Sequence, residues 1–469
     1  MEYHNETSTS LEWKKDFIQS NNVAGPRYTS YPTAIQFHEE FGINDYEQAV
    51  ARSNQKKRPL SLYFHIPFCN TICYYCACNK IVTADKNRVR HYLDQLIREI
   101  EIQGALFEKN RPVVQLHWGG GTPTFFSHSE MTELMYHTGR NFNLLDGEQG
   151  EYSIEIDPRD ADLDTLSLIH GLGFNRISLG VQDFDEKVQK AVNRVQPLPM
   201  VEKVVKASRN LGFQSINMDL IYGLPYQTPL SYRSTIESVL ALQPDRISLF
   251  NYAHLPHRFK TQRQIKDETL PTAEEKLEIL CDSANTLISG AGYVYIGMDH
   301  FAKQTDSLAI AHQQGQLQRN FQGYSTAREA DLVGMGVSAI SHIDNTYSQN
   351  FKTANQYKQA LTQDHLPIER GYVLNADDLL RQEVINQLTC HNQIDIPQIE
   401  KSHQIDFPRY FDAELRELAS LEKEALVRLS PTKISLTELG RLVVRRICLV
   451  FDIYNGGVQA QQSTYSRII

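Results

Sequence analysis

The chain has 469 residues, 41% of them apolar, and a formal charge of −9. That length suits two or three domains with sizeable cores. No run long and apolar enough to span a membrane is present, and the acidic balance argues against nucleic acid as a partner. The opening MEYHNETSTSLEWKKDF lacks the apolar run of a signal peptide, which points to a cytoplasmic location.

In chain order, residues 1–54 read as an N-terminal arm. Its GPRYTSYPTA stretch, Gly25 to Ala34, carries the prolines and polar residues of an extended segment lying on another surface, here the mouth of an active site. Residues 55–365 alternate short β-branched and aromatic runs with longer amphipathic ones, the pattern of βα units and a parallel sheet. Strands are predicted at 60–66, 113–118, 151–156, 175–181, 214–221 and 245–252. Helices fall near 86–107, 128–139, 162–171, 185–210 (one or two), 229–242 and 272–289. Six units make an α/β open partial (β/α)6 barrel, too few for closure.

Barrels of this kind carry chemistry at the C-terminal ends of their strands, and every such end here is polar or glycine-rich. Strand one runs into a cysteine loop, strand two into Gly119-Gly120-Gly121-Thr122-Pro123, and strand three carries Glu155 and Asp157. Strand four ends at Gln182-Asp183, strand five carries Asp219, and strand six leads to Ala253-His254. Residues 366–469 become mostly helical around a short LSPTKISLT wing, so a C-terminal winged-helix-like domain is expected. From 371 onward it has 11 Lys/Arg against 13 Asp/Glu, no basic excess for DNA.

Four of the seven cysteines lie in CNTICYYCAC. Cys69, Cys73 and Cys76 form Cys-x3-Cys-x2-Cys, which can hold three irons of a [4Fe–4S] cube and leave the fourth open to a small molecule; an electron carrier would want four thiolates. Structural zinc would need a second ligand pair, and disulfides suit small secreted chains. Cys281, Cys390 and Cys448, scattered among apolar residues, read as core. Cys78 is open between a catalytic role, support of a ligand and plain packing; His65, on the face of Tyr63, is open between core and function. A ligand offering an amine and a carboxylate to iron and a nucleotide to the wall is S-adenosylmethionine, and glycines at 119–121 would admit it closely.

The blocks LYFHIPFC, CYYCACNKIVT, LHWGGGTPT, SIEIDPR, GFNRISLGVQDF, MDLIYGLPYQTP, FNYAHLP, IGMDHFA, RNFQGY and GMGVSAIS, with the arm, resemble the radical S-adenosylmethionine superfamily nearly end to end. Within it they are similar to the oxygen-independent coproporphyrinogen III dehydrogenase (oxidase) family of haem biosynthesis. The resemblance implies one [4Fe–4S] cluster on Cys69, Cys73 and Cys76, and two S-adenosylmethionine molecules. Tyr63, Gly120, Glu155 and Ile340 would contact the first. Tyr75, Gly121, Thr122, Gln182, Arg194, Asp219 and Ala253 would contact the second. Tyr63, Cys78 and Glu155 are the candidate catalytic residues.

The implied activity is oxidative decarboxylation of two propionates of coproporphyrinogen III to vinyls through a 5′-deoxyadenosyl radical. The implied partners are that substrate and a reducing electron donor such as a flavodoxin or a ferredoxin, and the chain is expected to act as a monomer. The family blocks also bring Asp299-His300 and residues 320–324 toward the substrate side. Its propionates call for cations at the mouth against the chain's net charge, with Arg27, Arg159, Arg258, Lys260 and Arg319 as candidates. The alternative is a haem-carrying chaperone of the superfamily, or a radical enzyme acting on haem. Such relatives usually have phenylalanine where Cys78 stands and lack the arm.

Overall fold

The computed structural model describes residues 17, 20–146, 149–455, 465, 467 and 468. The start of the arm, and with it the segment bearing on a signal peptide, lies outside them. From Val23 to Phe41 the arm is irregular, and it then turns into helix α1 (Ile43–Lys56). Tyr46, Ala49, Val50 and Ser53, spaced three and four apart, share the buried face of that helix, and this burial makes the segment helical.

The barrel begins with β1 (Leu60–Ile66), followed by α2 (Lys86–Leu106), β2 (Pro112–Gly120), α3 (His128–Asn141), β3 (Glu151–Ile156) and α4 (Leu163–Gly171). It continues through β4 (Arg176–Gln182), α5 (Glu186–Ala191), α6 (Leu198–Leu211), β5 (Ser215–Tyr222), α7 (Pro229–Ala241), β6 (Arg246–Asn251) and α8 (Ala273–Asn285). Side chains mark the helix starts: Asp85, Ser127, Asp162, Thr228 and Thr272 each accept a bond from a first-turn N–H, satisfying donors the helix itself cannot. The predicted helix at 185–210 is two, parted by the Asn193–Pro197 turn.

β1 to β6 lie side by side in chain order, all parallel. The sheet runs on past both predicted edges. On the far side of β1, β7 (Asp331–Met335) adds a seventh parallel strand, with Leu60 opposite Asp331 and Phe64 opposite Met335. Ile340–Ile343, Thr346–Asn350 and Ile368–Val373 continue antiparallel from β7. On the other edge, His300–Ala302 and Val294–Gly297 follow β6, also antiparallel. Trp118 of β2, fully buried against Phe64 and Phe174, anchors the core beneath.

The C-terminal region pairs Gln393–Asp395, Lys433–Leu436 and Val427–Leu429 in a small antiparallel sheet beside α9 (Ala376–His391) and the helix Asp412–Lys423. This is the winged-helix arrangement expected there. The arm lies between it and the barrel. Arg445 donates to the Pro26 carbonyl at 2.9 Å. Arg27 donates to Asp299 Oδ2 at 2.9 Å and to the Asn251 carbonyl, at the C-terminal end of β6, at 3.0 Å.

Candidate active site

The loop after β1 carries the four cysteines, all seven in the chain being free thiols. Side chains bonded to backbone carbonyls stitch this loop to the barrel rim. His65 Nε2 pairs with the Asn79 carbonyl at 2.8 Å, Asn193 donates to the Ile72 carbonyl at 2.7 Å, and Gln262 donates to both the Tyr75 and Ala253 carbonyls at 3.0 Å. Lys80 Nζ reaches the Cys76 carbonyl at 2.9 Å.

Each ligand sulfur has donors or cations near it. Thr122 Oγ1 donates to Cys69 Sγ at 3.8 Å, while Arg194 Nη1 and Arg159 Nη2 donate to Cys73 Sγ at 3.6 and 4.0 Å. The hydrogen bond from Cys78, with Lys80 nearby, pulls the Cys76 thiol down to about 6 against burial. Burial pushes the Cys69 thiol up to about 11, so that sulfur needs the metal itself to shed its proton. Among the described residues no three Cys, His, Asp or Glu side chains gather closely enough to share one metal ion. The Cys-x3-Cys-x2-Cys order suits thiolates that each take a separate iron of a cube.

The cavity below the loop, about 250 Å³, is lined by Tyr75, Gly120, Gly121, Thr122, Glu155, Gln182, Arg194 and Asp219, with Cys69, Cys73, Cys76 and Cys78 at its edge. Two of its glycines are needed for shape. A Cβ on Gly121 would sit 2.5 Å from the Phe68 carbonyl oxygen; one on Gly120, whose φ is +112°, would sit 2.5 Å from the His65 ring. Buried Gln182 Oε1 and Arg194 Nε have no partner among the described residues, which fits a polar ligand in the cavity. The residues present therefore suit both an iron–sulfur cluster and a nucleotide-bearing cofactor.

The two acidic groups of the wall differ in character. Glu155 accepts from the Gly120 N–H at 3.0 Å and from His117 Nε2 at 3.4 Å. Burial, the largest influence, would raise its carboxyl, but His117, the Gly120 N–H and the His65 ring together outweigh it and hold Glu155 below the usual range. Asp219 is raised by burial, with the Glu155 charge adding to the effect, although Ser178 Oγ and Asn217 Nδ2 donate to it at 2.7 and 2.8 Å.

Three expected cofactor contacts do not line this cavity. Tyr63 hydrogen-bonds His65 Nδ1 at 3.0 Å and stacks on His117 at 5.9 Å between centroids. Ala253 is tied to the cysteine loop through Gln262. Ile340 packs with Phe37, Tyr347 and Leu374 beyond β7. Arg194, an expected contact of the second cofactor, donates to Asp157 Oδ2 at 2.8 Å, which also accepts from Arg159 Nη2 at 2.7 Å. Asp183 is structural: it accepts from Thr235, Gln227 and the Asp185 N–H.

Of the mouth cations, Arg159 is committed to Asp157, and Arg258 lies over the Phe259 ring. Lys260 opens the short 3₁₀ turn Lys260–Gln264. Arg27 and Arg319 converge: Arg319 stacks over Tyr324 at 4.8 Å, its Nε reaches the Arg27 carbonyl at 3.4 Å, and its buried Nη1 has no partner among the described residues. His300 sits between Phe250 and Tyr324, and burial, with the Arg319 charge next, pushes it down to about 3.

A second cavity of about 250 Å³ fills the barrel lumen, lined by His117, Arg176, Arg246, His300 and Gln322 and sharing Glu155, Ser178, Asp219 and Phe250 with the first. His117, the residue that tunes Glu155, went unnoticed in the sequence. It faces the lumen two residues before Gly119, the alternation of β2 being the signal that could have found it.

A model of the radical SAM superfamily matches residues 63–239, and one described as the HemN C-terminal domain matches 374–443. The chain is 51% identical over 460 residues to an oxygen-independent coproporphyrinogen III oxidase of Pseudomonas aeruginosa, covering 98% of this chain and 99% of the relative. It is 47% identical over 459 residues to the protein of the same description from Escherichia coli, with 98% and 99% coverage. A solved structure described as coproporphyrinogen III oxidase (HemN) from Escherichia coli, a radical SAM enzyme, superposes with a TM-score of 0.89 at 46% identity, over 95% of this chain and 100% of that one.

Proposed function

The chain belongs to the oxygen-independent coproporphyrinogen III oxidase family of radical SAM enzymes, and from that premise we propose that it converts coproporphyrinogen III to protoporphyrinogen IX by oxidative decarboxylation of two propionates. The observation that carries this reading is the meeting, at one cavity, of the three-cysteine loop, the Gly120–Gly121 cradle and the Glu155 carboxylate. Held by Cys69, Cys73 and Cys76 beside the Gly120–Gly121 cradle, the cluster and S-adenosylmethionine would supply the one-electron radical chemistry that oxidative decarboxylation of a propionate needs.

The chain's own residues bind, orient and shield. Cys69, Cys73 and Cys76 hold the cluster, with Thr122, Arg194, Arg159 and Cys78 stabilising the sulfurs as thiolates. Glu155, kept ionised by His117, accepts from a ligand's ammonium or hydroxyl groups. Asp219, raised by burial, accepts from ribose hydroxyls. Gly120 and Gly121 let the backbone approach the ligand closely.

Two adjoining cavities that share Glu155, Ser178, Asp219 and Phe250 support a site for two S-adenosylmethionine molecules. Arg27 and Arg319 hold substrate propionates. We read residues 1–54 as the arm over the active site, 55–365 as the radical SAM barrel and 366–469 as the C-terminal cap. The enzyme acts as a cytoplasmic monomer that draws electrons from a flavodoxin or a ferredoxin. Incubating the anaerobically reconstituted protein with coproporphyrinogen III, S-adenosylmethionine and dithionite tests the reading. Protoporphyrinogen IX should form; haem binding without any turnover would replace this reading with a haem carrier.

A further inference from the structure

A third cavity, of about 670 Å³, lies between the arm, helix α9 and the start of β7, and it shares no lining residue with the cofactor and lumen cavities. Cavities that enclose drug-sized ligands measure about 300–1,000 Å³. The two of about 250 Å³ fall below that range, so of these three it is the third that has room for a macrocycle of four pyrroles. One of its walls is common to the lumen. In the hairpin that pairs Gln318–Asn320 with Gly323–Ser325, Arg319 and Phe321 line this cavity, while Gln322 and Tyr324 line the lumen.

Its aromatic lining offers a platform for pyrrole rings. His342 stacks on Tyr347, their centroids 4.3 Å apart at 25°, and Phe321 meets the same tyrosine edge-on at 6.0 Å. Burial pushes His342 down to about 4, so its ring is neutral at physiological pH, and its Nε2 has no partner among the described residues. A neutral face of this kind suits stacking against another ring.

Four cations and four acids line the cavity, yet the acids are largely taken up. Asp331 accepts from Arg111 Nη2 at 2.8 Å and Asp344 from Arg52 Nε at 2.9 Å, both donors standing outside the lining. Lys56 also bonds Asp344, Glu383 pairs with His403 Nε2 at 2.8 Å, and Glu329 faces solvent. Arg58 stands 3.6 Å from Asp331 and 4.0 Å from Asp344, carboxylates with closer donors already. Through their guanidinium groups Arg319 and Arg328 bond carbonyls, those of Arg27 at 3.4 Å and Gly315 at 3.3 Å, and neither forms an ion pair among the described residues. Three arginines from three segments thus keep capacity for carboxylates, which a planar guanidinium binds through two parallel bonds.

We propose that this cavity seats the tetrapyrrole macrocycle, with Arg58, Arg319 and Arg328 holding propionates that are not reacting while the reacting one extends past the hairpin into the lumen. The inference rests on the coproporphyrinogen reading above and gives that substrate a place outside the cofactor cavities. Cations on three separate segments can take carboxylates in more than one orientation of the macrocycle, as two successive decarboxylations require.

The test compares wild-type protein with Arg58→Gln/Arg328→Gln, with His342→Ala, and with Arg98→Gln as control, an arginine of α2 paired with Glu101 and Asp364. Binding of coproporphyrin III and of protoporphyrin IX, which carry four and two propionates, is measured on the anaerobically reconstituted proteins by equilibrium dialysis. The double variant should bind coproporphyrin III at least tenfold more weakly, and His342→Ala about threefold. In the double variant the preference for coproporphyrin III over protoporphyrin IX should narrow and the KM for coproporphyrinogen III should rise. Iron content and substrate-free cofactor cleavage should be unchanged in every variant, and the control should match wild type.

Equal coproporphyrin III affinity in all four proteins, or a preference over protoporphyrin IX that the double variant leaves intact, would overturn the cavity assignment while wild-type turnover kept the coproporphyrinogen reading standing. Charge-dependent porphyrin binding in a wild type that forms no vinyl product would overturn that reading and leave the cavity as a porphyrin site. Loss of iron in the double variant together with loss of binding would show that the arginines serve the fold, and His342→Ala with intact iron and unaltered affinity would then overturn the platform as well.

Discussion

Arg194 lies 3.6 Å from Cys73 Sγ through the same guanidinium nitrogen that lies 2.8 Å from Asp157 Oδ2. A side chain at the end of β3 therefore positions a donor against a sulfur of the loop after β1. Burial would lower the guanidinium, but charges including Tyr75, Asp157 and Cys73 outweigh it and keep Arg194 protonated.

Replacing Arg194 by Gln should remove a charge-assisted donor from that sulfur. Hydrogen bonds to cluster sulfurs raise the reduction potential, so the variant's midpoint potential should shift negative in electrochemical titration. The lost bond is worth about 1.5–3 kcal/mol, and 5′-deoxyadenosine formation should fall about 10- to 100-fold. Arg194→Lys should recover part of the potential but not the fork to the Gly180 carbonyl, now 2.7 Å away.

The cysteines divide three to one. Changing Cys69, Cys73 or Cys76 to Ser should each abolish the intact cube, read as iron content and visible absorbance after anaerobic reconstitution. Cys78→Ser should keep most of the iron. Because Cys78 is what most lowers the Cys76 thiol, that variant should also assemble its cluster more slowly near neutral pH. Equal iron loss in all four would contradict the ligand set.

His300 is held neutral, at about 3, by burial, whereas in the unfolded chain it titrates near 6.5. Its folded pKa is depressed, so the unfolded state binds the extra proton as pH falls below about 6.5. The stability it contributes is therefore complete above that pH and is lost on the way down toward 3, on the order of a few kcal/mol between pH 7 and pH 4. Denaturant unfolding of His300→Phe should show a weaker loss over that window than wild type; parallel pH profiles would contradict the assignment.

Arg27 and Arg319 meet at the arm. Arg27→Ala frees Asp299 and the Asn251 carbonyl, and Arg319→Ala removes a buried guanidinium nitrogen that has no partner among the described residues. Either change should raise the KM for coproporphyrinogen III or leave the mono-vinyl intermediate in the product profile, while iron content and substrate-free cofactor cleavage persist. An unaltered KM and product profile in both would show the propionates held elsewhere.

Much of this architecture was legible in the residues. β1 and β3 match their predicted limits, because β-branched runs bounded by turns mark strands with one or both faces buried. β7 was not found: all five of its residues, DLVGM, are buried, so no alternation marked it. Glu155 and Asp219 were legible as carboxylates at strand ends. The commitment of Arg194 to Asp157, and of His117 to Glu155, was not, because each pair joins residues 37 or 38 positions apart whose contact exists only once neighbouring strands and the turns after them are in place. α1 was hidden by the extended stretch before it, which suggested one continuous arm.

The most direct measurement of the central claim follows hydrogen from substrate to cofactor. Coproporphyrinogen III deuterated at the propionate β-carbons would be turned over anaerobically by the reconstituted enzyme, and the 5′-deoxyadenosine analysed by mass spectrometry. The account predicts deuterium in 5′-deoxyadenosine together with carbon dioxide and protoporphyrinogen IX. Vinyl product formed with unlabelled 5′-deoxyadenosine, or cofactor cleavage without vinyl product, would contradict it.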